Sequence, residues 1–129
     1  MKTIGTGIVL KTESGTYLLQ ERDYNTPNNP GRIAVFGGGI EGEESVLDCA
    51  KRELFEELVL DIDTESLEDI GLFPSEREDE IQFQLFLLRD IDRSILNLRE
   101  GRSIVEFSKE EALESERVTD FTKQVLRSL

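Results

Sequence analysis

Three carboxylates and one guanidinium fall within six residues, Arg52-Glu53-Leu54-Phe55-Glu56-Glu57. Leu47, Ala50, Leu54 and Leu58 recur around them at helical spacing, which predicts an amphipathic helix starting near Glu44 or Ser45. Residues three and four apart share a helical face, and like charges placed there cost about a few tenths of a kcal/mol per pair. Glu56 and Glu57 also stand near the C-terminal end of the run, where the helix dipole disfavours anions by roughly 0.3–1 kcal/mol each. Folding asks for none of this. A divalent, oxygen-seeking cation such as Mg²⁺ or Mn²⁺ would turn the repulsion into coordination, and such ions commonly serve phosphate chemistry. On a helical wheel the three acids lie along one edge of the apolar stripe, so they are expected to point into a cleft beside the core.

The elements that must hold this helix can be read on either side of it. Ile4–Leu10 and Thr16–Glu21 are apolar or β-branched runs separated by Glu13-Ser14-Gly15, the pattern of a hairpin. Asp23 to Gly31 concentrates Pro, Asn and Gly and predicts a loop, after which Ile33–Phe36 predicts a short buried strand leading into Gly37-Gly38-Gly39. Beyond the helix, Leu67–Phe73 and Glu80–Arg89 predict two further strands, the second alternating at Ile81, Phe83, Leu85 and Leu87. Ser108 with Glu111 makes a capping box, and Phe121, Val125 and Leu129 space a last helix over 120–129. Strands, a helix, more strands and more helices predict an α/β layered domain with a mixed sheet.

Two local patterns compete with the cation reading and lose. Gly37, Gly39 and Gly42 satisfy the glycine spacing of a dinucleotide-binding turn, but Glu41, Glu43 and Glu44 crowd the helix N-terminus where a pyrophosphate would sit. Asp61, Asp63 and Glu65 mimic the start of a calcium loop, yet Ser66 stands where its glycine belongs and Leu72 where its bidentate glutamate belongs.

The 129 residues suit one domain, 1–129, around one core. A net charge of -13 opposes partners that want a basic face, so neither a nucleic-acid polymer nor an anionic membrane is expected. A phosphate-bearing ligand would need a metal. The one cysteine, Cys49, permits no internal disulfide and reads as a small core filler. No signal peptide or membrane span is evident, which leads us to expect a cytoplasmic protein.

The wider spacing is more specific. Gly38, five residues, Glu44, seven residues, Arg52-Glu53-Leu54-Phe55-Glu56-Glu57 and then Leu60 resembles the box of the Nudix hydrolase family, here residues 38–60. Leu18-Leu19-Gln20-Glu21-Arg22 is similar to that family's second strand, and Phe36-Gly37-Gly38-Gly39-Ile40-Glu41 to a variant of its entry into the box. Two positions depart from the pattern. Val59 replaces the glycine that commonly ends the box helix in a left-handed conformation, so the helix is expected to end differently. Gly42-Glu43 reverses the usual order ahead of Glu44.

The resemblance implies a Nudix-type α/β/α sandwich with a mixed sheet, and hydrolysis of a pyrophosphate bond in a nucleoside diphosphate derivative. The substrate would be a small nucleotide, either a nucleoside triphosphate or a nucleotide sugar such as ADP-ribose. By the family pattern Glu53, Glu56 and Glu57 hold Mg²⁺ or Mn²⁺, with the Gly38 carbonyl and the outlying Glu100 as further ligands. Arg52 and Glu44 would orient the carboxylates, and Glu53, then Glu57, is the first choice for the base. Arg22 and Arg32 flank the long loop and are candidates for substrate phosphates. Tyr24, Phe36, Phe73 and Phe83 are candidates for base stacking. The family also contains non-catalytic modules that bind nucleotides as regulators, the rival reading. Many relatives pair as homodimers, but no exposed apolar stripe here marks such a surface.

Overall fold

The computed structural model describes residues 1–129. Strand β1 spans Lys2–Lys11, β2 Tyr17–Glu21, β3 Ile33–Ala34 and β4 Phe36–Gly39, followed by helix α1 over Val46–Leu58. Then come β5 (Glu68–Pro74), β6 (Ile81–Leu88), β7 (Ser103–Phe107), α2 (Lys109–Glu114) and α3 (Asp120–Arg127). The expected hairpin closes β1 on β2 through only Leu10↔Leu18 and Lys11↔Tyr17. Past that point the two strands part. β1 takes β4 as its antiparallel neighbour, from Ile8↔Phe36 to Gly5↔Gly39, while β2 takes β3 through Gln20↔Ala34 and Glu21↔Ile33. Residues 33–39 therefore bridge an opening in the sheet. On its other edge β1 runs parallel to β6, which pairs antiparallel with β5, and β2 pairs antiparallel with β7.

Both faces of this mixed sheet are covered, and alternation along the central strands divides the core in two. Ile8 and Leu10 of β1, with Phe86 and Leu88 of β6, pack under α1 against Ala50, Leu54 and Leu58. Val9, Leu85 and Leu87 point the other way, toward Ala112 of α2 and Val125 and Leu126 of α3. This is the α/β/α sandwich that the sequence implied. Leu85 to Leu88 is a continuous buried run, as expected for a strand covered on both faces.

Helix α1 begins where Ser45 Oγ accepts the Asp48 N–H at 3.1 Å. With the helix so phased, Leu47 lies outside the buried stripe and is partly exposed, and Val46, Cys49 and Ala50 cover the core at that level instead. The helix end corrects another expectation. Val59 does adopt the left-handed conformation (φ 52°, ψ 35°), its N–H donating to Phe55 O at 2.9 Å. Leu58 and Leu60 on either side of it are both buried, so the chain must reverse at residue 59 whatever its side chain. The strain is accepted there because the flanking leucines are anchored. No helix is long and apolar enough to cross a membrane.

Candidate active site

The stripe of α1 next to its core face carries Cys49, Glu53 and Glu57, one turn apart, and looks onto β4. The glycines of β4 lie in the sheet, opposite Gly5, Thr6 and Gly7 of β1. Their bareness sets the depth of the site. A Cβ on Gly38 would come within 2.3 Å of Glu53 Oε1, so only glycine lets that carboxylate settle against the strand. The Gly38 carbonyl is turned toward Cys49 Sγ at 3.7 Å, and what Gly38 offers Glu53 is its Cα.

Arg52 organises the acids around it. Its Nη2 and Nε donate to Glu44 Oε1 and Oε2 at 2.6 and 3.0 Å, a bidentate pair. Nη1 donates to Glu53 Oε1 at 3.0 Å and to Glu56 Oε2 at 3.1 Å, and Nη2 also reaches the Gly39 carbonyl at 2.9 Å. Glu41 lies 3.6 Å from Nη1. The Arg52 fork, with the Glu41 N–H donated to Glu44 Oε1 at 2.9 Å, holds the Glu44 carboxyl down at about 2. One guanidinium thus links the loop before α1, strand β4 and two turns of the helix.

Glu53 and Glu57 differ from their neighbours in burial. They retain 8% and 3% of their accessible surface, whereas Glu56 sits exposed on the rim. Burial is the main force pushing the Glu57 carboxyl up to about 9, and the charge of Glu53 adds to it. Glu53 is raised for the same first reason, although Arg52 works against it. Glu57 Oε2 is buried without any hydrogen-bond partner. A buried polar oxygen without a partner costs on the order of 1–3 kcal/mol, which a bound cation would recover. No three acidic side chains are already gathered into a finished ligand set; Arg52 holds Glu53 and Glu56 instead. The donor set is nevertheless all oxygen, the kind Mg²⁺ and Mn²⁺ take, and Glu57 with its orphaned oxygen fits that group.

Glu53, Glu56 and Glu57 line a cleft of about 530 Å³ without a single hydrophobic side chain on its walls. They come from α1, Arg22 and Asp23 from the end of β2, and Arg99, Glu100 and Gly101 from the loop before β7. Glu100, picked from the sequence as an outlying acid, is therefore brought to the other three, and its charge helps to raise Glu57. Its loop is fixed from both sides: the Arg99 N–H donates to Glu57 O at 2.7 Å, and Gln20 Nε2 donates to Glu100 O at 3.1 Å.

A second cavity of similar volume opens on the opposite side of β4 and shares Arg22, Gly37 and Gly38 with the first. It is lined in part by Val35, Phe83, Phe121, Asn28, Glu76 and Asp120. Arg22 stands at the junction, its Nε and Nη2 donating to Asn28 O and Thr26 Oγ1. Arg32, the other candidate for substrate phosphates, also lines this second cavity. Its guanidinium donates to the carbonyls of Glu116, Arg117 and Val118, and so braces the connection between α2 and α3. Of the four aromatic candidates Phe83 and the fully buried Phe36 line this cavity. Phe73 is core, and exposed Tyr24 stacks under Arg102 at 4.6 Å.

Sequence reasoning missed Arg99, Gln20 and Glu41 around the acids and Asp120 and Phe121 in the second cavity. Arg99 adjoins Glu100 and could have been found by asking what cation accompanies the outlying acid. The others carry no local signal, because tertiary packing alone brings them in.

Comparison with known proteins bears on this arrangement. The family model described as NUDIX domain matches residues 1–129. No curated protein matches the sequence. A MutT protein from Methanosarcina mazei Go1 superposes with a TM-score of 0.83 at 21% identity, covering 98% of this chain and 91% of that one. A MutT NUDIX hydrolase from Burkholderia pseudomallei gives 0.80 at 15% identity, with 100% and 99% covered. The NUDIX domain of Shewanella oneidensis NrtR, complexed with ADP ribose, gives 0.75 at 16%, with 99% and 86% covered.

Proposed function

The chain belongs to the Nudix family, and from that premise we propose that it hydrolyses the pyrophosphate bond of a small nucleotide, with Mg²⁺ or Mn²⁺ held by Glu56, Glu57 and Glu100 beside Glu53. The observation that carries this reading is the buried Glu53–Glu57 pair, with an orphaned oxygen on Glu57, in a cleft with no apolar lining. Folding gains nothing from such a pair, and hydrolysis of an anionic phosphoanhydride needs it. The cation, when bound, supplies neutralisation of the phosphate oxygens and polarisation of the attacked phosphorus.

The protein's own groups do the rest. Arg52 occupies Glu53 Oε1, which leaves Oε2 to take the proton from the attacking water, and we assign Glu53 as the general base. Glu44 holds Arg52 in place through the bidentate pair and touches nothing that reacts. The phosphorus–oxygen bond of the anhydride breaks as the water oxygen bonds, and the two products each leave with a phosphate group. Arg22, at the junction of the two cavities, suits the bridging phosphate. The cavity bounded by Phe83 and Phe121 suits an aromatic base. A nucleoside triphosphate and a nucleotide sugar such as ADP-ribose both satisfy this layout, and the NrtR domain shows that the fold accepts ADP ribose in at least one relative.

The test is a panel of nucleoside triphosphates and nucleotide sugars with Mg²⁺ or Mn²⁺, using Glu57→Gln for comparison. We expect wild-type turnover of at least one, falling by about 10²–10⁴-fold in the variant. Stabilisation by a nucleotide with no product from any member of the panel would favour the regulatory module instead.

A further inference from the structure

Arg99 is a cation that nothing in the protein uses. It lines the acidic cleft among Asp23, Glu41, Glu53, Glu56, Glu57 and Glu100, yet its guanidinium is absent from every ion pair and side-chain hydrogen bond of the chain. Arg52, by contrast, is saturated by the same acids. Nor is Arg99 loosely placed. Its own N–H is tied to Glu57 O, the Asn97 N–H to Leu58 O, the Arg102 N–H to Glu21 O and the Glu100 carbonyl to Gln20. The backbone on both sides is thus stitched to α1 and β2, and only the side chain is left free.

The relation of the two cavities says what it could meet. Arg22 lines both, at the junction, whereas Arg99 lines only the acidic cleft and not the cavity bounded by Phe83 and Phe121. A nucleotide with its base in that cavity would run its phosphates past Arg22 and reach Arg99 last. We propose that Arg99 binds the phosphate farthest from the base, so that the enzyme favours a substrate ending in a free phosphate, a nucleoside triphosphate, over one capped by a sugar. This rests on the hydrolase reading above. A terminal phosphate carries about two negative charges and takes charge-assisted hydrogen bonds from a guanidinium, while a ribose is neutral.

The test compares wild type, Arg99→Ala, Arg99→Lys and the control Arg127→Ala, which removes the same charge from the exposed side of α3. Two readouts are taken with Mg²⁺ present: kcat and KM for a nucleoside triphosphate and for ADP-ribose, and calorimetric binding of imidodiphosphate, a pyrophosphate analogue that is not hydrolysed. For Arg99→Ala we expect KM for the triphosphate and Kd for imidodiphosphate to rise about tenfold, with kcat and the ADP-ribose constants within about twofold. Arg99→Lys should recover part of the loss, and Arg127→Ala should match wild type. Equal losses on both substrates, equal effects of Arg99→Ala and Arg127→Ala, or imidodiphosphate binding indifferent to Arg99 would each overturn the proposal. Failure of the hydrolase reading looks different: wild type would turn over no nucleotide, while imidodiphosphate binding still depended on Arg99.

Discussion

Arg52 is the residue on which the acidic cluster depends, because it meets Glu44, Glu53, Glu56 and Gly39 from one planar fork. A lysine carries the same charge but cannot span that set, since a compact ammonium has no bidentate geometry. Arg52→Lys should therefore lower kcat by about tenfold or more while KM moves little, because positioning is lost and substrate contact is not. A variant with an unchanged kcat would show that Glu53 finds its place without the fork. Gly38→Ala probes the same carboxylate from the opposite wall. Its methyl group would stand 2.3 Å from Glu53 Oε1, and that side chain must swing away. The chain should still fold, with turnover reduced by about 10²-fold, and circular dichroism beside the activity assay separates the two effects.

At the scale of elements the most testable feature is the end of α1. A β-branched residue in the left-handed region costs about 1–2 kcal/mol, and Val59, 38% exposed, recovers little of it by burial. Glycine would remove the strain but is freer in the unfolded chain, so Val59→Gly should gain up to about 1 kcal/mol, or roughly 3–5 °C in Tm. A lower Tm would mean that the valine side chain contributes packing beyond what its exposure indicates. The same helix shows what was legible in the sequence. Its period, its N-terminal cap region and the three acids could be read because they are local, and so could the layered α/β class. Its ending could not, because the left-handed residue is imposed by the buried Leu58 and Leu60 and not chosen by Val59. The role of Gly37 to Gly39 was hidden for a related reason: nothing local says that they let β4 lie close against Gly5 and Gly7 and leave room for Glu53. Arg32 was equally opaque, since its partners are carbonyls more than 80 positions away.

For the molecule as a whole, the net charge of -13 and the absence of histidine make the buried pair visible in solution. In most proteins histidines dominate the change of stability across neutral pH. Here none stands in that window, and the Cys49 thiol is pushed upward by its burial, away from it. Glu57, raised to about 9, keeps its proton in the folded cation-free chain after the unfolded chain has released it, near the ordinary carboxyl value of 4.5. The folded state then binds more protons than the unfolded one, so stability falls as pH rises from about 5 to 9. The slope cannot exceed about 1.4 kcal/mol per pH unit for one proton, which is roughly 4–7 °C per unit in Tm. Glu44 acts in the opposite sense: held down near 2, it contributes stability above the unfolded carboxyl range that is lost as pH falls toward 2. Thermal unfolding in a chelator should thus peak near pH 5 and decline toward pH 9. Adding Mg²⁺ should raise Tm more at pH 8 than at pH 5, since at the lower pH the proton already occupies the pair. Glu57→Gln should flatten the decline and remove most of the Mg²⁺ effect together. If the variant keeps the wild-type slope, the charge that opposes folding lies elsewhere in the acidic surface, and the buried pair is not where the cation binds.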